Sequence, residues 1–185
     1  MRTFVAIELE QPQRLPLIKL LNEVFPESRD VRWCSENQLH ITLKFLGEVR
    51  PDQLAAVCDA AQAACRQVAP FSLRIKGLGG FPTPRSPRVL WCGVDDPTQS
   101  CRRWVELADP LFTKLGFEPE NRAFTPHITL GRSKAPAGSR IMREMLETAP
   151  APETEPMTVR HVIVYESTLR PTGAVYTPQA TLALG

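Results

Sequence analysis

The pattern of apolar and polar residues along the first half of the chain predicts alternating strands and helices. Residues Thr3 to Leu9 alternate as a strand, and Leu15 to Val24 places apolar residues at helical spacing. His40 to Leu46 is β-branched and apolar, which predicts a second strand. An alanine-rich helix from Pro51 to Val68 and a strand from Phe71 to Ile75 follow. The predicted order of the first half is therefore β-α-β-α-β.

The same order of elements is predicted again in the second half. After a stretch rich in Gly and Pro, Val89 to Val94 forms a strand and Thr98 to Leu115 a helix. A strand from His127 to Leu130, a short helix from Ser139 to Thr148 and a long strand from Thr158 to Tyr165 complete the unit. The remaining residues to the C-terminus are predicted to add one or two short strands.

One tetrapeptide, His-Ile-Thr-Leu, occupies the middle strand of both halves, at His40 to Leu43 and at His127 to Leu130. An identical tetrapeptide could occur twice by chance, but its position on the same element of two matching halves favours an internal duplication. We therefore predict an α+β fold in a single domain, residues 1–185. Its two pseudo-symmetric repeats are approximated by residues 1–84 and 85–185.

The repeated motif has a polar face and an apolar face, because side chains alternate across a strand. His40 and Thr42 share one face, and His127 and Thr129 share the corresponding face of the second motif. If the apolar faces are buried, the two imidazoles can meet across one groove. A pair of histidines can hold one neutral and one protonated ring near neutral pH, as acid–base cleavage of a phosphodiester requires. The threonine hydroxyls could donate hydrogen bonds to the phosphate oxygens.

Other interpretations of the histidines remain open at this point. Either one alone could be a structural residue, and the pair could bind zinc, although no Asp, Glu or Cys lies at matching spacing to complete a ligand set. We predict no metal and no cofactor. The third histidine, His161, has no counterpart in the other half and is interpreted as structural.

Charge and cysteine content narrow the class of protein. The chain has 22 Lys and Arg against 20 Asp and Glu, a formal charge of +2, which favours a small or terminal anionic ligand over long nucleic acid held mainly by its phosphates. The five cysteines form no C-x-x-C pair and are predicted to be free thiols; a nucleophilic cysteine would need a histidine nearby in the fold. No stretch is long and apolar enough for a signal core or a membrane span, so we expect a cytoplasmic protein.

The motifs and their flanks resemble the two-histidine (2H) phosphoesterases, whose signature is a pair of His-x-Thr/Ser-x motifs. The resemblance is to the RNA 2′,3′-cyclic phosphodiesterase, or 2′-5′ RNA ligase-like, branch and runs nearly end to end. The segments that carry it are RTFVAIELE from Arg2, VRWCSENQLHITLKFLGEV from Val31, RVLWCGV from Arg88, RAFTPHITLGR from Arg122, VYESTL from Val164 and Gly173 to Tyr176.

This resemblance implies a bilobal fold with mostly antiparallel sheets that face a central groove. It implies hydrolysis of a 2′,3′-cyclic phosphate RNA end to a 2′-phosphate without a metal, and reversible 2′-5′ ligation as a side activity. The partners it implies are RNA with such ends, tRNA fragments among them, or nucleotides, with no obligate protein partner and no membrane. His40 corresponds to the acid for the 3′-oxygen and His127 to the base for water, with Thr42 and Thr129 on the phosphate.

The two motifs diverge directly after the shared tetrapeptide, where Lys44-Phe45 stands against Gly131-Arg132. Arg132 matches an arginine of the family motif and is predicted to bind phosphate, although strict alternation would point it away from His127 unless the strand ends or bends. For Phe45 a core position is favoured, and contact with the base of the substrate is the alternative that makes it a candidate site residue.

Three further arginines, Arg85, Arg88 and Arg122, fit a solvated surface or contact with an RNA strand equally well. Two rival functions also remain. One is hydrolysis of a small cyclic nucleotide such as an ADP-ribose cyclic phosphate, and the other is a non-catalytic module that binds RNA ends.

Overall fold

The computed structural model describes residues 1–171 and 173–185. The strands are β1 Arg2–Glu8, β2 Val31–Trp33, β3 His40–Glu48, β4 Phe71–Phe81, β5 Val89–Asp95, β6 His127–Ser133, β7 Met157–Val159, β8 His161–Arg170 and β9 Gly173–Ala183. The helices are α1 Gln11–Lys19, α2 Leu54–Cys65, α3 Ser100–Lys114 and α4 Pro136–Thr148. A π-helical turn, Leu20–Val24, extends α1, and a 3-10 turn, Pro51–Gln53, precedes α2.

All the predicted strands and helices are present, in the predicted order, and the differences have identifiable causes. The strand predicted to end at Ile75 continues as β4 to Phe81, into the glycine-rich segment. Position 79 of this strand requires glycine, because a Cβ there would overlap the indole of Trp91 on the neighbouring strand. The C-terminal tail forms β9, an eleven-residue strand, instead of one or two short ones.

The strands form two antiparallel sheets. The first sheet has the order β3-β1-β8-β9, and the second has the order β2-β6-β5-β4-β7. The orders β3-β1-β8 and β6-β5-β4 are equivalent under the predicted duplication, because β1 corresponds to β5, β3 to β6 and β8 to β4. The α+β fold with two pseudo-symmetric antiparallel sheets is thus confirmed.

The last strand of each repeat lies in the sheet of the other repeat. Strand β4, from the first half of the chain, pairs with β5, and β8, from the second half, pairs with β1. The predicted strand from Thr158 is divided at Arg160 for the same reason, since β7 pairs with β4 in the second sheet and β8 with β1 in the first. Each sheet therefore combines strands from residues 1–84 and 85–185.

Helices cover one side of each sheet and enclose a continuous apolar core. Helices α2 and α3 contact each other, with α2 against β8 and β9 and α3 against β3, while α4 packs on β4 and β6. Strand β1 is central, and its five residues from Thr3 to Ile7 are all buried. None of the helices in the described part of the chain has both the length and the apolarity that crossing a membrane requires.

Candidate active site

Strands β3 and β6 lie in different sheets but contact each other, and they carry the two copies of the repeated motif. Ile41 and Leu43 on β3, like Ile128 and Leu130 on β6, are buried in the core. The histidines and threonines alternate with them and are only partly buried. The predicted division of each motif into an apolar inner face and a polar outer face is present in both strands.

The two imidazoles are held by the same backbone contact. Nδ1 of His40 lies 2.8 Å from the carbonyl oxygen of Gln38, and Nδ1 of His127 lies 2.7 Å from that of Thr125. A carbonyl can only accept, so each Nδ1 carries the proton and donates it. This hydrogen bond fixes the tautomer and leaves Nε2 of each ring as the atom that can gain or lose a proton.

The Nε2 atoms differ in their partners. Nε2 of His40 lies 2.9 Å from Oγ1 of Thr42, and in the neutral ring it accepts the hydroxyl proton. Nε2 of His127 has no hydrogen-bond partner among the residues that the structure describes. The two histidines therefore share the same backbone contact at Nδ1 and differ in the hydrogen bonding of Nε2, the nitrogen that exchanges the proton.

Burial and neighbouring positive charge both lower the pKa values of the two histidines. The pKa of His40 is lowered to about 4, mainly by burial and also by the positive charges of His127 and Arg132, while the hydrogen bond to the carbonyl of Gln38 acts in the opposite direction. Burial also lowers the pKa of His127, with the Thr125 carbonyl acting against it and the charge of Arg132 adding to it. Both rings are thus neutral near pH 7 in the unliganded protein, and an anion between them would raise both pKa values.

A β-bulge at the last residue of each motif determines where the next side chains point. In β6, Leu90 pairs with Gly131 and Trp91 with Thr129, so Leu130 is an extra residue. In β3 the same irregularity falls at Leu43, between the pairs of Val5 with Lys44 and Ala6 with Thr42. An extra residue shifts the alternation by one position. Arg132 and Phe45 therefore return to the faces that carry the histidines.

Strict alternation would point Arg132 away from His127, and the bulge supplies the irregularity in the strand that brings Arg132 back to the same face. The core interpretation of Phe45 is wrong, because 53% of this side chain is exposed. Its ring packs on Phe4 at a centroid distance of 5.6 Å. All six predicted site residues accordingly lie on corresponding faces of β3 and β6, and we call the space onto which they open the central groove.

The divergence between Lys44 and Gly131 has a structural reason. Lys44 is 5% exposed, and its Nζ lies 2.6 Å from Oδ1 of Asp109 on α3 and 2.9 Å from the carbonyl oxygen of Glu118. Gly131 instead faces Trp33 of β2, and a Cβ at this position would overlap the indole ring. Strand β3 is an edge strand whereas β6 has β2 beside it, so the equivalent positions have different neighbours.

Aromatic rings surround each imidazole, and the sequence did not single them out. His40 lies 4.9 Å from Phe4 and 5.2 Å from Tyr176 between ring centroids. Phe81 lies 5.0 Å and Trp91 6.0 Å from His127. These rings exclude water from the imidazoles and account for the burial that lowers the histidine pKa values. Four different strands supply them, so the periodicity within one strand could not show that they meet at the histidines.

The remaining candidate residues lie elsewhere or are chemically unsuited. His161 is exposed at the start of β8, and Arg122 is exposed in the loop before β6. All five cysteines are free, and burial raises the pKa values of Cys65, Cys92 and Cys101 and that of Cys34 to about 11, which disfavours a thiolate nucleophile. In the described ranges no group of three His, Cys, Asp or Glu side chains is placed to hold a metal ion.

Comparison with known proteins gives consistent results. The model of the 2′-5′ RNA ligase superfamily matches residues 18–170. A protein named RNA 2′,3′-cyclic phosphodiesterase from Methanothermobacter thermautotrophicus is 32% identical over 183 residues, which cover 99% of this chain and 98% of the relative. One of the same name from Archaeoglobus fulgidus is 34% identical and covers 95% of this chain and 96% of its own.

Solved structures agree over the full length. TT0787 of Thermus thermophilus superposes with a TM-score of 0.80 at 28% identity and covers 100% of this chain and 98% of its own. LigT of E. coli in complex with 3′-AMP has a TM-score of 0.78 at 27% identity and covers 99% and 97%. Since the family model spans most of the chain and relatives above 30% identity cover nearly all of it, this chain belongs to the 2′-5′ RNA ligase superfamily.

Proposed function

We propose that this protein is an RNA 2′,3′-cyclic phosphodiesterase that opens the cyclic phosphate at an RNA end to a 2′-phosphate. The observation that carries the proposal is the duplicated imidazole, tied through Nδ1 to a carbonyl and free to exchange a proton at Nε2, on two strands that meet across the groove. The names of the relatives supply the substrate class, and the nucleotide in the LigT complex is consistent with it.

The chemistry is an in-line displacement at phosphorus. Water attacks the phosphorus atom, and Nε2 of His127, which has no competing partner in the described protein, accepts its proton. The bond from phosphorus to the 3′-oxygen breaks, and Nε2 of His40 donates a proton to that oxygen. The products are a 2′-phosphate and a 3′-hydroxyl, and proton exchange with solvent restores both rings.

The neutral state of His40 in the unliganded protein is compatible with its role as acid. A bound phosphodiester carries a negative charge close to both rings, which favours the imidazolium form and raises both pKa values. Arg132 and the hydroxyls of Thr42 and Thr129 would stabilise the charge that builds on the non-bridging oxygens. Phe45, exposed beside Phe4, would contact the base.

The same geometry permits ligation. If the 5′-hydroxyl of a second RNA replaces water, the same displacement breaks the bond to the 3′-oxygen and forms a 2′-5′ linkage. Because water is in large molar excess over the hydroxyl, we expect hydrolysis to predominate. We also place the enzyme in the cytoplasm, where five free cysteines are stable as thiols.

Product analysis tests the proposal. An oligoribonucleotide with a 2′,3′-cyclic phosphate end should give only the 2′-phosphate, in the presence of EDTA as in its absence. A 3′-phosphate product, or loss of turnover on chelation that one metal restores, would contradict the mechanism. Faster turnover of an ADP-ribose cyclic phosphate would favour the small-nucleotide alternative, and binding without turnover would favour a non-catalytic module.

A substrate with a better leaving group tests the division of roles. With sulfur in place of the 3′-oxygen, departure needs no proton, so this substrate should restore activity to His40→Ala and leave His127→Ala inactive. Restoration of His127→Ala alone would reverse the assignment of acid and base.

A further inference from the structure

A second cavity lies at the far end of β6 from His127, outside the central groove. It has a volume of about 700 Å³ and is bounded by the loop before β5, the end of β6 and the first two turns of α4. Its charged lining residues are all basic: Arg85, Arg88, Lys134, Arg140 and Arg143. We propose that this basic cavity binds the backbone phosphates of the RNA strand upstream of its cyclic end. The inference rests on the proposed function.

The basic cavity concentrates positive charge that is not paired with acidic side chains. The protein as a whole has a net charge of only +2, yet five cationic side chains line this one cavity. All five are exposed, and none forms an ion pair with any residue in the described ranges. Uncompensated positive charge in a concave surface attracts polyanions more strongly than scattered charge does.

The other groups that line the cavity also suit phosphate. Three serines, Ser86, Ser133 and Ser139, supply hydroxyl groups that can donate to phosphate oxygens. Pro136 is the first residue of α4, a helix of 13 residues, so the positive end of its dipole points at the same space. A mixture of cationic, hydroxyl and helix-dipole donors is typical of contacts to a nucleic-acid backbone.

Adjacent positions of β6 face the central groove and line the basic cavity. Arg132 lies on the face of β6 that carries His127, and the next residue, Ser133, lines the cavity from the opposite face, beside Gly138 of α4. The backbone N–H of Ser133 donates to the carbonyl of Arg88 at 2.9 Å, so the two lining segments are joined there. Ser133 lies six positions after His127, about 20 Å along a strand at about 3.3 Å per residue. This equals about six stacked nucleotides at 3.4 Å each.

The cavity beside His40 is a weaker candidate for the strand. Its volume is about 620 Å³, and its charged lining residues apart from His40 are one arginine, Arg14, and one acid, Glu8. Such a balanced site gives little attraction for a chain of phosphates, whereas it can accept a nucleoside. Charge therefore favours the basic cavity for the upstream strand.

The test compares substrates of different length. Arg140→Gln/Arg143→Gln should lower kcat/KM on a ten-nucleotide RNA with a 2′,3′-cyclic phosphate end by about tenfold and leave a 2′,3′-cyclic mononucleotide unaffected. The slope of log kcat/KM against log salt for the decamer should become shallower by about 1.4, since two phosphate contacts on a single strand are lost. Arg102→Gln/Arg103→Gln, the same charge change on α3, should alter neither value.

An equal fall on both substrates, or no fall on the decamer, would overturn the inference. A measurement of RNA binding separates failure of this inference from failure of the proposed function. By fluorescence anisotropy, the wild type should bind a decamer with a plain 3′-hydroxyl end more tightly than Arg140→Gln/Arg143→Gln does, even if neither hydrolyses RNA. Equal affinity of the two proteins would show that the cavity does not bind RNA.

Discussion

At the scale of single residues, the site depends on how each imidazole is oriented and how it is charged. A backbone carbonyl two residues earlier holds Nδ1 of both histidines, which directs Nε2 to the reaction. Aromatic neighbours then desolvate the rings, so the unliganded site holds two neutral bases. The substrate itself must supply the negative charge that protonates one of them.

The pH dependence of hydrolysis should report these pKa values. One imidazole must be protonated and the other neutral, so kcat/KM should follow a bell. In the free enzyme the pKa of His40 is about 4 and that of His127 is below the usual 6.5. The maximum of kcat/KM should therefore lie between about pH 4 and 6.5, and that of kcat at higher pH, since bound phosphate raises both pKa values.

Arg132→Gln provides the matched test of this account. Loss of the positive charge should raise both histidine pKa values and move the kcat/KM profile to higher pH. A maximum of wild-type kcat/KM above pH 7, or a pH profile that does not move in Arg132→Gln, would show that the two sides of the bell do not report the pKa values of these histidines.

Phe45 allows a test of base contact. Stacking of a base on an aromatic side chain contributes about 1–3 kcal/mol, so Phe45→Ala should lower kcat/KM on a cyclic mononucleotide by about 5-fold to 150-fold. Leu15→Ala, at an apolar side chain on α1 that is 59% exposed, is the control and should have no effect. Equal activity of the two variants would remove Phe45 from the binding site.

At the scale of elements, the two bulges convert a repeated tetrapeptide into a functional surface. Without them Phe45 and Arg132 would point into the layers behind β3 and β6. The sequence alone predicts that each histidine shares a face with its threonine, because the alternation of side chains within a strand is a local property. The sequence alone does not predict the bulges, because an extra residue is defined only by its pairing with the neighbouring strand, β1 or β5.

The same reasoning explains what else the sequence could predict. Local periodicity identifies the order of strands and helices, including both middle strands. It does not say which strands pair, so the placement of β4 beside β5 and the short strand β2 required the structure. The rings around the histidines come from distant strands and were unpredictable for that reason.

Gly131→Ala tests the second bulge. Its Cβ would overlap the indole of Trp33, whose Nε1 donates to the carbonyl of Pro26 at 2.9 Å. We expect a loss of about 1–3 kcal/mol in the free energy of unfolding, typical of overpacking, with a fall in kcat/KM as Arg132 is displaced. The cost of Gly131→Ala should be smaller in a Trp33→Ala background. Equal costs in both backgrounds would show that the indole is not what requires glycine.

At the scale of the whole molecule, the exchange of strands makes each sheet depend on both repeats. The first sheet would lose β8 and β9 if the chain ended after the first repeat, and the second sheet would retain only β2 and β4. The groove between β3 and β6 is thereby held by two sheets that are joined through the exchanged strands.

Fragments should confirm this dependence. Residues 1–84 and 85–185, expressed separately, should each lack cooperative thermal unfolding by circular dichroism, because β1 without β8 and β5 without β4 each have one edge of an apolar strand unpaired. The full chain measured under the same conditions is the control. Cooperative unfolding of either fragment alone would show that a repeat is an autonomous unit.

The central claim is that two histidines, one from each repeat, act together on one cyclic phosphate. The most direct measurement is kcat/KM of His40→Ala and His127→Ala on an oligoribonucleotide with a 2′,3′-cyclic phosphate end, with His161→Ala as the matched control. Each of the first two should lose roughly 10²-fold or more, while His161→Ala, exposed on β8, should remain near wild type. Wild-type activity in either His40→Ala or His127→Ala would contradict the two-histidine mechanism.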